Sequence, residues 1–174
     1  GSEMCIRDSC EIVTALTIQK NGGTFVCKFF DLYTELSISF IYLLSNLYKD
    51  IYINKPLTSR PANSEKYIIA KNFNGIEKSY LNKLHQIINS WDIIDINNWN
   101  SVSIFQENIP EDFVKEILNY NSRNSEMQIN NIEKTLKYIS NNKKIDDTKI
   151  FQSKLAKEWC NKYKIKINES SIFI

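Results

Sequence analysis

Two β-rich runs, "DIYIN" at residues 50–54 and "EKYIIAKNF" at 65–73, are joined by residues 55–64 alone. Parallel neighbours need a crossover of a dozen or more residues, usually a helix. These two runs must therefore be antiparallel neighbours, and any sheet they belong to ends on a reversed strand. The joining stretch is far more polar than a turn requires, since Gly, Pro, Asn or Asp would suffice. It carries Lys55, Thr58, Ser59, Arg60, Asn63 and Ser64, and it delivers an acid, Glu65, to the mouth of the next strand. Donors of this kind suit a phosphate or a ribose.

Upstream, "CEIVTALTIQK" spaces Ile12, Leu16 and Ile18 like one face of a helix, and the "NGG" at 21–23 reads as its glycine stop. "TFVCKFF" is a short apolar run rich in β-formers. Between two helices it predicts a strand buried on both faces of a parallel sheet. "TELSISFIYLLSNLY" predicts a helix with Thr34 as N-cap. Residues 10–73 thus read α-β-α-β-β, the closing part of an open α/β sheet.

Lys28 lies inside the apolar run, near the carboxyl end of its strand. An unpaired ammonium is costly in a low dielectric, so such a lysine either snorkels into water at the strand tip or meets an acid where the sheet opens to a ligand. If the strand starting at Glu65 slots antiparallel beside that of Lys28, the acid arrives at this edge and pairs with the amine. The acid would then orient the amine while the loop overhangs it.

After Asn74-Gly75 the composition turns to Asn, Ile and Lys, and the periodicity becomes helical. Leu81, Leu84, Ile88 and Trp91 share one face. Pro110-Glu111-Asp112 is a helix start. Ile129, Ile132, Leu136 and Ile139 form a further stripe, and Phe151, Leu155 and Trp159 another. Trp91, Trp99 and Trp159 read as core residues rather than base-stacking platforms. His85 reads as a surface or packing histidine.

With 174 residues and a net charge of +2, the chain can bury a sizeable core and is no polycation, so any nucleic-acid contact must be a local patch. Its four cysteines have no CxxC spacing and its only histidine is His85, which speaks against a zinc site or a disulfide framework and for reduced thiols in an intracellular protein. The longest apolar run falls short of a membrane span. The opening "GSEMCIRDS" has neither the periodicity nor the flanks of a targeting peptide. Residues 1–9 read as a translated sequencing-adapter remnant that stays outside the fold. On that reading the natural chain begins near Cys10 and is cut at its amino end.

The pattern G-G-x-F-V-C-K-x-F-D-L-x-T, a helix containing Y-L-L, and K-P-x-T-S-R-P-A-N-S-E-x-Y closely resemble the cap-specific mRNA ribose 2′-O-methyltransferases of the FtsJ/RrmJ-type fold. The resemblance spans about residues 10–73. It implies the fold class: α/β, the C-terminal half of a Rossmann-like methyltransferase sheet with an antiparallel last strand. Residues 10–74 would be that part of the domain, and 75–174 a helical extension with little that can be matched. Catalysis in the family uses a Lys-Asp-Lys-Glu tetrad. The resemblance makes Lys28 its second lysine and Glu65 its glutamate, with Asn63 a contact to the RNA and Arg60 and Ser59 neighbours of the transcript backbone. The first lysine, the aspartate and the S-adenosyl-L-methionine loop are expected upstream, so no cofactor-binding residue and no metal ligand is assigned here. The implied partner is capped mRNA, without a membrane, in the nucleus, the cytoplasm or a viral factory. Two alternatives stand beside this reading: a methyltransferase-like subunit that has lost catalysis and binds RNA or a partner enzyme, and a ribosomal RNA 2′-O-methyltransferase.

Overall fold

The computed structural model describes residues 2–30, 32–56, 59–90, 104–105, 108–140, 145–168 and 170. Helix α1 (Ser2–Ile18) leads into strand β1 (Phe25–Phe29), and helix α2 (Glu35–Leu47) into strand β2 (Tyr48–Asn54). Strand β3 (Lys66–Phe73) then returns, and helices α3 (Lys78–Asn89), α4 (Glu111–Ser140) and α5 (Ile145–Lys162) follow. The chain is thus α/β through residue 73, as its patterning predicts.

The sheet order is β1-β3-β2, and β3 runs antiparallel to both neighbours. The strand that begins beside Glu65 therefore lies between those of Lys28 and Ile51, as the short connection requires. β1 and β2 point the same way on either side of it, joined through α2. Thr34 caps α2 by accepting from the Ser37 amide at 3.1 Å, and Glu35 sits at the positive end of the helix dipole.

The core lies on one face of the sheet. Cys27 and Phe29 of β1 align with Ile68 and Lys66 of β3, and Ile53 and Ile51 of β2 align with Ile68 and Ala70. Against this face pack Ile12, Val13 and Leu16 of α1 and Leu36, Phe40, Ile41 and Leu44 of α2. The opposite face carries Val26, Ile69 and Tyr52 in register. Val26 is 56% exposed. The expectation that β1 is buried on both faces fails for this reason: its side chains alternate, and the helices α1 and α2 cover one face only.

Three further expectations need correction. Ile18 does not join Ile12 and Leu16 in the core but is 78% exposed, because two residues past Leu16 it lies on the opposite side of α1. Asn21-Gly22 is a turn rather than the helix cap itself. The Gly23 amide donates to the Lys20 carbonyl at 2.9 Å, and Gly22 at φ +79° supplies the positive angle. The first nine residues, expected outside the fold, belong to α1 from Ser2 onward. Asp8 and Ser9 are buried and Ile6 packs on the core, because the stripe Ser9, Ile12, Val13, Leu16 continues one helical turn toward the amino end.

The compact unit does not stop at residue 74. Residues 1–131 form one unit, whose core is completed by Leu84 of α3, Ile104 and Ile117 of α4. His85 is exposed, with Nε2 3.0 Å from the Thr17 hydroxyl. Residues 132–174 form a second unit. There Ile132, Leu136, Ile139, Phe151 and Leu155 are exposed, and Trp159 is half-buried beside Tyr163, with ring centroids 5.0 Å apart, rather than in a core. Trp91 and Trp99 lie outside the described residues. No described helix is long and apolar enough to cross a membrane.

The one-sided core makes a direct stability prediction. Ile68→Ala, at a fully buried β3 position, should cost about 2–5 kcal/mol. Val26→Ala, on the open face, should cost within about 0.5 kcal/mol of zero. Urea unfolding of the two variants checks the contrast.

Candidate active site

Antiparallel pairing sets Lys28 opposite Tyr67, one residue inside the end of the β1–β3 ladder. Residues two apart share a face, so Glu65 lies diagonally beyond Tyr67 on the side of Lys28. A long side chain spans such a diagonal. The Lys28 Nζ lies 3.2 Å from Glu65 Oε2, with the two side chains 42% and 20% exposed. The sequence predicts this meeting, and the topology produces it.

Glu65 is held from several sides. The Tyr67 hydroxyl donates to its Oε1 at 3.1 Å, and the Asn63 amide reaches Oε2 at 3.4 Å. The hydrogen bond from Lys28 chiefly lowers the Glu65 carboxyl below the usual range, while partial burial opposes and Tyr67 and Asn63 reinforce. On the other side of the lysine, its ammonium lies 5.0 Å from the centroid of the Phe30 ring.

The loop before Glu65 is tied largely to itself. Lys55 Nζ donates to the Asn63 carbonyl at 2.7 Å, to Asn63 Oδ1 at 2.9 Å and to the Glu65 carbonyl at 3.0 Å. Asn63 Oδ1 also accepts from the Ser59 hydroxyl at 3.2 Å and the Glu65 amide at 3.3 Å. Burial lowers the Lys55 pKa and the Glu65 charge works against that shift. Lys55, which the sequence offers as an anion donor, is thus an internal staple. Arg60 is exposed where the chain turns, its carbonyl accepting from the Asn63 amide at 3.2 Å. Thr58 and Asp31 lie outside the described residues.

Of the residues singled out from sequence, Lys28 and Glu65 are in contact, Asn63 touches Glu65, Ser59 touches Asn63, and Arg60 stands apart at the turn. Sequence reasoning missed Tyr67 and Lys66. Tyr67 was legible, being two residues past Glu65 on one strand face. Lys66 was not: it is buried on the core side and donates to the Phe30 carbonyl, a partner 36 residues away. Cys27, beside Lys28, is a buried thiol donating to Glu11 Oε2 at 3.1 Å, and burial pushes its pKa far up, so it stays protonated.

The family model for the FtsJ-like methyltransferase matches residues 8–73. Every residue of the ion pair and its loop falls inside that FtsJ-like span. The chain is 34% identical over 148 residues to cap-specific mRNA (nucleoside-2′-O-)-methyltransferase 1A of Caenorhabditis briggsae, covering 79% of this chain and 16% of that protein. It is 31% identical over 148 residues to the inactive cap-specific mRNA (nucleoside-2′-O-)-methyltransferase 1B of the same nematode, covering 79% of this chain and 17% of that protein. To cap-specific mRNA (nucleoside-2′-O-)-methyltransferase 1 of Danio rerio it is 48% identical over 62 residues, 36% of this chain and 8% of that protein. The chain therefore spans about a sixth of the length of the two nematode relatives. A match over 79% of the chain also runs well past residue 73, so the helical region shares in the similarity that the sequence motifs left to the first part alone.

The ion pair sets a pH dependence. Because the folded Glu65 carboxyl is lowered, its contribution to stability is present above the unfolded carboxylate value of about 4.3 and is lost as pH falls through the folded value. Lys28→Ala should raise the Glu65 midpoint, and the stability difference between the two chains should shrink on acidification. Carbon-detected NMR titration of Glu65, with unfolding curves at neutral and acid pH, checks both.

Proposed function

We propose that this chain is part of an S-adenosyl-L-methionine-dependent mRNA cap ribose 2′-O-methyltransferase, and that Lys28 and Glu65 act at the methyl acceptor. The observation that carries the reading is the 3.2 Å Lys28–Glu65 pair at the carboxyl end of β1, with Asn63, itself bonded to Lys55 and Ser59, against Glu65. A ribose 2′-hydroxyl is a weak nucleophile until its proton is drawn off or its developing charge is met by a donor. Lys28 offers a half-exposed amine for that oxygen, and in its neutral form the nitrogen takes the hydroxyl proton as the oxygen gains the methyl group and the bond to the donor's sulfur breaks. Glu65 fixes its direction, and Tyr67 and Asn63 fix Glu65. Methyl transfer is an in-line displacement, so holding the acceptor oxygen in place is itself a large part of catalysis.

The methyl donor is assigned to no residue of this chain. Among the described residues the adjacent glycines Gly22 and Gly23 use their amides internally, on the Phe73 and Lys20 carbonyls, and form no cradle for a cofactor. What these residues do is hold the acceptor. Arg60 is exposed to meet a transcript phosphate, with Ser59 beside it. Asn63 uses its carbonyl oxygen within the loop, and its amide carries two N–H donors, of which one donates to Glu65 among the described residues and the other suits the RNA.

The second reading is a chain that binds RNA without transferring methyl, and one observation favours it: the 31% identity to a relative named inactive. The ion pair weighs against it, since a binding subunit has no need of an ammonium held between Glu65 and the Phe30 ring.

The test uses the longer protein that spans the relatives' length, with capped RNA and labelled S-adenosyl-L-methionine, read as 2′-O-methylated nucleotide. Lys28→Ala should lower transfer by about 10²-fold or more while leaving RNA binding nearly unchanged. Lys28→Arg should fail similarly, because a planar guanidinium does not reproduce the amine's position. Transfer at the wild-type rate by Lys28→Ala refutes the catalytic assignment. RNA binding without transfer by the wild type favours the second reading.

A further inference from the structure

Asn121 lies on α4, beyond the family-matched residues, and is 3% exposed. Asparagine is a poor choice inside a helix, and a buried amide is costly unless it is bonded. Its Nδ2 donates to the Leu32 carbonyl at 2.7 Å, across 89 residues of sequence. One helical turn on, the Ser125 hydroxyl lies 2.8 Å from that of Tyr33. The i, i+4 spacing puts Asn121 and Ser125 on one stripe of α4. Lys66 donates to the Phe30 carbonyl.

All three anchors fall on Phe30, Leu32 and Tyr33, which follow the end of β1. Loop carbonyls have no ladder to satisfy them, so their partners set where the loop runs. Phe30 belongs to this loop, and its ring is the one the Lys28 ammonium faces at 5.0 Å. The same stretch of α4 reaches the second loop of the site. Asn121, Asn124 and Gln128 share a small cleft with Lys55, Asn63 and Ser64.

We propose that the first half of α4 is a working part of the site, with Asn121 as the positioning residue that fixes Leu32 beside Tyr33 and, through Phe30, holds the Lys28 ammonium against Glu65. This rests on the Lys28–Glu65 pair as the functional centre. The helical region is then no appendage. It sets the position of an ammonium that lies on another element, some 90 residues earlier in the chain.

The test reads the pair itself, in the full chain, by carbon-detected NMR titration of the Glu65 carboxyl. Lys28→Ala calibrates the method and should move the midpoint up. Asn121→Ala should move it the same way, by less, and should speed amide exchange at Leu32 and Tyr33 by about tenfold, the loss of one hydrogen bond. Ser125→Ala should act in the same direction more weakly. A folded Asn121→Ala chain whose Glu65 titrates as in the wild type overturns the proposal. Should Asn121→Ala not fold, Ser125→Ala and Tyr33→Phe decide, and an unchanged Glu65 in both overturns it. If Lys28→Ala leaves Glu65 unmoved, the pair itself fails, a result distinct from failure of Asn121 alone.

Discussion

A slip of one residue between β1 and β3 would turn Lys28 into the core and Phe29 out to the open face. Strand side chains alternate, so register and facing are a single choice. That choice is made by Cys27, Phe29, Ile68 and Ala70, all buried on the helix-covered side. Once they are in, Lys28 and Tyr67 must share the other side, and Glu65 must fall next to them. The ion pair does not need to hold the sheet in register. Apolar burial does that, and the charges arrive aligned.

This division of labour explains what the sequence showed. The antiparallel return of β3 was legible because ten residues cannot hold a crossover. The pairing of Lys28 with Glu65 followed from that topology and from the position of each residue at its strand's end. The wording of the two motifs then carried the family. Local signals were sound where they were strictly local, as with Thr34 ahead of α2.

The readings that failed all concern what covers what. "TFVCKFF" is apolar enough for a strand buried on two faces, yet composition does not say how many layers a sheet carries, and Val26 lies open. Ile18 is the last residue of α1, and two residues past Leu16 it falls on the opposite side of the helix. Asp8 and Ser9 look like poor core residues, but helical phase sets them beneath the same layer as Ile12. Lys66 and Asn121 were out of reach for a different reason. Each is a polar residue whose partner is a backbone carbonyl far along the chain, and a carbonyl has no sequence signature. That Leu84, Ile104 and Ile117 join the core of residues 1–131 was out of reach for a related reason: an apolar stripe says that a segment packs, and not against which element.

The internal bonding of the 55–65 loop has a consequence for recognition. A flexible loop must be ordered when it meets its ligand, and each rotamer-rich side chain immobilised then costs about 0.5–1.5 kcal/mol of affinity. Here Lys55 and Asn63 are fixed by folding, through bonds that involve no ligand. The entropy of ordering is charged to the stability of the domain, and the surface around Arg60 and Ser59 meets its partner already shaped. Affinity and folding are thereby separated at this loop. Lys55 donates to Asn63 and Glu65 of its own loop, yet it governs how much of any binding energy survives as affinity.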